Sequence, residues 1–244
     1  MSPLLLLVPL CLWFGVTWLG FHLKGTVSGD LSQWQNALFD NAAMAFGVIP
    51  AMAAVLLVAH ATFARRLKGF GLDVKTIGRD FGAALVNLLA IYPLIAAAIL
   101  VTMEIGKILI SPDFQMEQHI ELKQIAANPQ LPLRIIIILN AGFLVPVFEE
   151  FLFRGLFQTM LRSALGTIFA IRGASGSIGQ SAWPAILFAS VVFTAFHYNP
   201  QHWPALLILG AALGYAYEKG GSLFRPIFIH SIFNAVSIIS ALCQ

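Results

Sequence analysis

The chain has 244 residues, of which 59% are hydrophobic and only 10% are charged, and its mean hydropathy is +0.84. Soluble domains carry roughly 25% charged residues, so this composition excludes an ordinary soluble domain, which needs more polar surface to face water. The net charge of +3 is explained by basic loops that orient a chain in a bilayer, and it gives no reason to expect a nucleic-acid partner.

Apolar segments follow one another along the chain and predict an all-α, polytopic transmembrane helical bundle. None of them alternates with the period of two that a barrel strand needs, and helices are the other structure that satisfies backbone groups in lipid. We expect about seven spans, with six to eight allowed because the long fourth segment could be split. The segments lie at 4–21, 41–63, 83–110, 133–163, 183–197, 204–218 and 225–242.

The N-terminal segment, MSPLLLLVPLCLWFGVTWLGF, has no basic region before its apolar run and no small-residue cleavage site. It is therefore predicted to be a retained first span and not a signal peptide. The connection at 64–82 carries five basic residues, which predicts a cytoplasmic location for that loop and for the N-terminus. Cys11 and Cys243 lie near opposite ends of the chain and indicate neither a disulfide framework nor a zinc site.

A Gly/Ser-rich stretch, IRGASGSIGQSAWP at 171–184, separates two of the predicted spans. Its proline is typical of the first turn of a helix, so the next helix is expected to begin there. We interpret the stretch as a surface loop, with a mobile gate as the alternative.

Ionisable residues inside membrane spans are costly, so by default they are candidates for a functional site. Glu149 and Glu150 stand side by side in FLVPVFEEFLFRGLFQ, with Arg154 four residues after Glu150. At about 100° per residue, Glu150 and Arg154 share one face of an α-helix and are predicted to pair. Glu149 points elsewhere and needs a proton, a metal, a water or a residue from another helix. Glu104 precedes Lys107 by three residues, which predicts only a local ion pair.

Two later segments offer partners for Glu149. Phe193 and His197 are four residues apart in SVVFTAFHYNP, as are His230 and Asn234 in PIFIHSIFNAVS. These groups favour hydrolysis by a water molecule, with Glu149 as general base and His197 sharing that duty or orienting the water. His230 and Asn234 can donate hydrogen bonds to an oxyanion. No G-x-S-x-G elbow is present and neither cysteine has a histidine within reach, so water is the expected nucleophile.

Taken in order, Glu149-Glu150-x-x-x-Arg154, Phe193-x-x-x-His197 and His230-x-x-x-Asn234 resemble the three signatures of the CPBP family. This is the CAAX protease and bacteriocin-processing group of intramembrane peptidases, also called Abi, whose best-known members are the type II CAAX prenyl endopeptidases. The resemblance covers about 133–240. It divides the chain into N-terminal transmembrane helices and connecting loops at 1–132 and a CPBP-like catalytic helical core at 133–244.

The resemblance implies an integral membrane endopeptidase, expected in the cell membrane, that hydrolyses a peptide bond within the bilayer. The implied substrate is a peptide or a lipidated protein that enters from the membrane or the cytoplasm, and a prenylated CAAX terminus is the best-known case. Phe193 is expected to pack the helix of the second motif without a chemical role. The implied roles are water activation by Glu149 and His197, an oxyanion hole of His230 and Asn234, and support of the architecture by Glu150 and Arg154.

Members of this family are often described as metalloproteases, and a divalent metal such as zinc is an open alternative. Glu149, His197 and His230 could supply the three protein ligands that a catalytic zinc usually takes. However, the H-E-x-x-H helix of zincins is absent, and Arg154 would oppose a nearby cation. We therefore favour metal-independent activation of water, which requires no cofactor.

Two other functional classes are compatible with polar groups inside spans. A proton-coupled membrane transporter would use Glu and His to relay protons, but the inverted repeat and paired broken helices of many carriers are not visible here. A catalytically inactive membrane scaffold has no need for an intact set of catalytic side chains. Polar groups that only join helices would explain a single pair, but not six positions in three segments.

Overall fold

The computed structural model describes residues 3–27, 29, 31–171 and 182–243, so most of the predicted connection at 171–184 lies outside the described residues. Within the described residues the chain forms helices and no strand, which confirms the predicted all-α class. The α-helices are α1 (Leu7–Val27), α2 (Gln33–Thr62), α3 (Arg66–Gly69), α4 (Ile77–Leu109), α5 (Ile120–Ala127), α6 (Leu131–Leu139), α7 (Val145–Glu150), α8 (Thr159–Ile171), α9 (Ala182–Ala195), α10 (Trp203–Gly220) and α11 (Phe224–Leu242).

Among the described residues, five helical runs are long and apolar enough to cross a membrane, which confirms a multi-pass membrane protein. The predicted spans at 183–197 and 204–218 correspond to the shorter helices α9 and α10. α9 has 14 residues and rises only about 21 Å, against a hydrocarbon core of roughly 30 Å. The five runs are Leu4–Thr26, Gln33–Thr62, Val74–Leu109, Leu131–Ile168 and Phe224–Leu242.

The chain divides into two compact units, each described by itself below. Unit one comprises the described residues of 1–70, 118–152 and 230–244, and unit two those of 71–117 and 153–229.

In unit one, α1 and α2 approach closely because small residues lie at their contact. A Cβ atom on Gly20 would lie 2.7 Å from the Cβ atom of Ala43, so no larger side chain fits there without movement. Close approach at small residues is the usual way in which membrane helices associate. An apolar cluster then joins α2, α5, α6 and the end of α11. Its buried members are Ala37, Ile125, Leu133, Ile137 and Ile238.

The helical run that carries Glu149 and Glu150 is not a uniform α-helix, although the sequence predicted one over 133–163. A first π segment, Asn140–Leu144, separates α6 from α7, and a second π segment, Phe151–Gln158, separates α7 from α8. The first has a visible cause in Pro146, which has no backbone N–H and whose ring clashes with the carbonyl four residues earlier. The N–H of Val145 accordingly bonds to the carbonyl of Asn140, five residues back.

In unit two, a buried ion pair joins the start of α4 to the start of α11. Asp80 is fully buried, and Arg225 Nη2 lies 3.0 Å from its Oδ1. The loop before α4 reaches the same place, because the Leu223 N–H donates to the carbonyl of Gly71 at 2.9 Å. Gly71 has a φ of +103°, and a Cβ atom there would lie 2.8 Å from the nitrogen of Leu223, so this position requires glycine.

We expect Arg225→Met to lower the Tm of the purified protein in detergent, because it leaves the carboxylate of Asp80 buried without its closest cation. Breaking a buried pair in this way costs about 3–5 kcal/mol. Arg79 Nη2, 3.5 Å from the same oxygen on an exposed side chain, offsets part of that loss.

The matched control is Lys107→Met, which breaks the exposed pair of Lys107 with Glu104 at 2.7 Å. Exposed pairs contribute about 0–1 kcal/mol, so the control should barely shift the Tm. Equal shifts for the two variants would show that the Asp80–Arg225 pair does not stabilise unit two.

Candidate active site

Three of the predicted site residues meet in unit one. Glu149 and Glu150 end α7, and the imidazole of His230, from α11, faces both carboxylates. His230 Nδ1 lies 2.9 Å from Glu150 Oε1, whereas His230 Nε2 lies 3.8 Å from Glu149 Oε2. The first distance is that of a hydrogen bond and the second is too long for one. Glu150 is fully buried and the side chain of Glu149 is 13% exposed, so the accessible acid is the one without a direct bond to the ring.

The bond to Glu150 determines how the ring of His230 is protonated. An ionised carboxylate can only accept, so against ionised Glu150 the Nδ1 atom carries a hydrogen and donates a hydrogen bond to the acid. Nε2 is then directed at Glu149, either with a lone pair or with the second N–H of an imidazolium. Glu150 thereby holds the ring in one orientation, as carboxylates commonly do for functional histidines.

Asn234 lies four residues after His230 on α11 and bonds to a different part of the same helical run. Its Nδ2 donates to the carbonyl of Ala141, in the first π segment, at 2.7 Å. A carboxamide has two N–H groups, and this bond uses one of them. The oxyanion role implied by the resemblance would therefore depend on the second N–H.

In unit two, Arg154 is almost fully buried in the second π segment. Its Nη2 donates to the carbonyl of Gly210 at 3.2 Å, and its guanidinium carbon lies 4.4 Å from the centre of the Phe193 ring. The latter distance is that of a cation–π contact. The predicted pairing of Arg154 with Glu150 stays a prediction.

His197 lies just beyond α9 and not on its face, because the helix ends at Ala195. Its Nδ1 lies 2.9 Å from the carbonyl oxygen of Phe193, which can only accept, so Nδ1 is the protonated nitrogen. In the neutral ring Nε2 then holds a lone pair that can take a proton or bind a metal. The ring of Phe193 also contacts that of His197, with centroids 4.8 Å apart. Phe193 thus touches both Arg154 and His197, a closer involvement than the sequence predicted.

Among the described residues, no group of three or more His, Cys, Asp or Glu side chains is arranged to hold a metal ion. The predicted ligand set of Glu149, His197 and His230 stays a prediction. Sequence reasoning missed Pro146, which produces the first π segment. The signal was present in the sequence, because Pro146 stands three residues before Glu149.

Comparison with known proteins gives one match, and it lies largely in the second half of the chain. Residues 131–236 match the family model described as Type II CAAX prenyl endopeptidase Rce1-like, and this range contains all three motifs. Neither curated proteins nor solved structures offer a match. The family implies a CAAX-type membrane protease. Over residues 131–236 the chain is therefore similar to the Rce1-like type II CAAX prenyl endopeptidases, as the resemblance of its motifs to the CPBP family predicted.

Proposed function

We propose that the protein is an intramembrane endopeptidase that hydrolyses a peptide bond near the C-terminus of a prenylated, CAAX-type protein with an activated water. One observation carries the proposal. Two adjacent carboxylates end α7, with the imidazole of His230 against both, inside the range that matches the family model. Ionisable groups in a membrane segment are costly, which makes them candidates for a functional site by default.

Glu149 is the general base of the proposed reaction. It is the more accessible of the two acids, and its Oε2 has no direct hydrogen bond to His230, so this oxygen can accept from a water. The water attacks the carbonyl carbon of the scissile bond and transfers a proton to Glu149. When the C–N bond breaks, Glu149 returns that proton to the departing amine. His197, with a lone pair on Nε2, orients the same water or shares its proton.

His230 and Asn234 stabilise the oxyanion that forms when the carbonyl becomes tetrahedral. With protons on both nitrogens, His230 donates Nδ1–H to Glu150 and presents Nε2–H to the substrate. The two neighbouring carboxylates offset the positive charge of this imidazolium, which would otherwise be costly in a membrane. Asn234 contributes the N–H that does not bond to Ala141.

Arg154 is a positioning residue in this proposal. It contacts the ring of Phe193, and Phe193 in turn contacts the ring of His197 and accepts a hydrogen bond from it. Arg154 therefore acts on the water through Phe193 and His197. Its bond to the carbonyl of Gly210 fixes the guanidinium to α10.

The substrate enters from the membrane or from the cytoplasm, and we place the protein in the cell membrane with its N-terminus in the cytoplasm. The five basic residues at 64–82 support this orientation. Maturation of a bacteriocin-like peptide is the related alternative within the same family.

We expect Glu149→Gln to lower the cleavage rate at least about 100-fold, because a positioned general base contributes roughly 10²–10⁴-fold. The assay uses the purified protein in liposomes, a farnesylated CAAX peptide and a matched peptide without the farnesyl group. The Tm should change little, because Gln has the same shape as Glu and Glu149 has no direct hydrogen bond to His230. The matched control is Glu104→Gln, which alters an exposed acid and should retain the full rate.

The companion variant Glu150→Gln separates the two acids. It removes the charged acceptor of the His230 Nδ1–H, so both the Tm and the rate should fall. A full rate in Glu149→Gln would refute the proposed role of that residue. If the wild-type protein cleaves neither peptide, a transporter or an inactive scaffold becomes the better reading. Equal cleavage of the two peptides would remove the prenyl group from the proposed specificity.

We expect EDTA and 1,10-phenanthroline to leave the cleavage rate unchanged, because the proposed water is activated by side chains alone. The measurement compares the rates of treated and untreated protein and the zinc content of the purified sample. A lost rate that zinc restores would contradict this expectation and would make Glu149, His197 and His230 the candidate ligands.

A further inference from the structure

One backbone carbonyl near the proposed site has neither an α-helical nor a π-helical donor in its own helical run. In a helical run, the carbonyl of Ala141 can accept from the N–H four or five residues later. The first belongs to Val145, which bonds instead to the carbonyl of Asn140. The second would belong to Pro146, which has no N–H. The side chain of Asn234 supplies the missing donor, with Nδ2 at 2.7 Å from the oxygen.

A second amide bonds the same π segment to another helix. Asn140 is buried, and its Nδ2 donates to the backbone carbonyl of Asn41, in α2, at 2.8 Å. The side chain of Asn41 in turn donates to Gln124 Oε1 at 3.1 Å and to the carbonyl of Ala37 at 2.9 Å. The first π segment is therefore bonded to α11 through Ala141 and to α2 through Asn140.

The π segment determines the direction in which the two acids point. One residue inserted into a turn rotates everything after it by about 100° relative to an uninterrupted α-helix. Glu149 follows Pro146 by three residues, and α7 is only six residues long, so little helix separates the insertion from the acids. α11 contacts both ends of this short helix, through Asn234 at the π segment and through His230 at Glu150.

We propose that Asn234 is a positioning residue. Its hydrogen bond to Ala141 and that of Asn140 to Asn41, together called the lock, stabilise the π turn created by Pro146 and thereby direct Glu149. The part of this proposal that concerns catalysis rests on the proposed function. The part that concerns the lock is independent of it. Proline in a transmembrane helix is tolerated where a neighbouring helix supplies a donor for the freed carbonyl. Here α11 supplies that donor through the side chain of Asn234.

The first test is Pro146→Ala, which restores the missing N–H. The helix can then close with α-helical bonds, so we expect the Tm to stay the same or rise while the cleavage rate falls at least 10-fold. If Pro146 only interrupted the helix and did not direct the acids, the variant would be stable and would keep its cleavage rate. The matched control is Pro93→Ala, which removes an exposed proline from the interior of α4 and should keep the full rate.

The second test is a double-mutant cycle on the Tm, which needs no peptidase activity. Asn234→Leu should lower the Tm by roughly 2–4 °C in the wild-type background, where it leaves the carbonyl of Ala141 without a donor. In the Pro146→Ala background the same change should have little effect, because the backbone then supplies the donor. If the Tm shifts of Asn234→Leu and Pro146→Ala were additive, Asn234 would not be the donor that the proline makes necessary. This result would overturn the lock independently of the cleavage rates.

The two tests keep the lock and the proposed function apart. Coupled Tm shifts with a full rate in Pro146→Ala would overturn the claim that the lock directs Glu149. If the wild-type protein has no peptidase activity, the proposed function fails while the cycle still decides on the lock. Should Pro146→Ala not fold, Asn140→Leu removes the other hydrogen bond. It should then lower kcat with little change in KM, and an unchanged kcat would overturn the proposal.

Discussion

The hydrogen bond between Glu150 and His230 is the interaction on which the rest of the site depends. A carboxylate with no exposed surface in a membrane segment is costly unless a donor and a compensating charge accompany it. The Nδ1–H of His230 provides the donor at 2.9 Å. That same bond turns Nε2 toward Glu149, so one interaction both gives the buried acid a hydrogen-bond donor and directs the ring at the accessible acid. The two neighbouring acids thus differ in their contacts, because the ring of His230 is within hydrogen-bonding distance of Glu150 and not of Glu149.

The general fold followed from composition, because a chain with so few charges and such long apolar runs can satisfy its backbone in lipid only as helices. The three polar motifs were also visible, since ionisable residues stand out against apolar sequence. Their partners were harder to predict. A uniform α-helix was expected over 133–163, where the structure has two π segments, and His197 was placed on a helix that ends two residues before it. Both differences are local departures from ideal helix geometry.

These departures depend on contacts between segments distant in sequence, which periodicity does not report. A proline signals an irregular helix, but whether the chain kinks, breaks or adopts a π turn depends on what satisfies the freed carbonyl. At Pro146 the donor is Asn234, which stands 93 residues after Ala141. The sequence alone assigned Asn234 to the oxyanion, because a carboxamide beside a catalytic histidine suits that role. Its bond to Ala141 shows that the same side chain also has a structural partner.

The family match begins at residue 131, yet helices before that point contact the run that carries the acids. Asn41 of α2 accepts a hydrogen bond from Asn140, and Trp13 of α1 packs edge-on against Phe148 with ring centres 5.1 Å apart. Phe148 directly precedes Glu149. Aromatic contacts and backbone carbonyls can be supplied by many different sequences, whereas proton transfer requires particular side chains at particular positions. The N-terminal helices can therefore support the acids of α7 while carrying no recognisable signature, since what they contribute is shape and backbone acceptors.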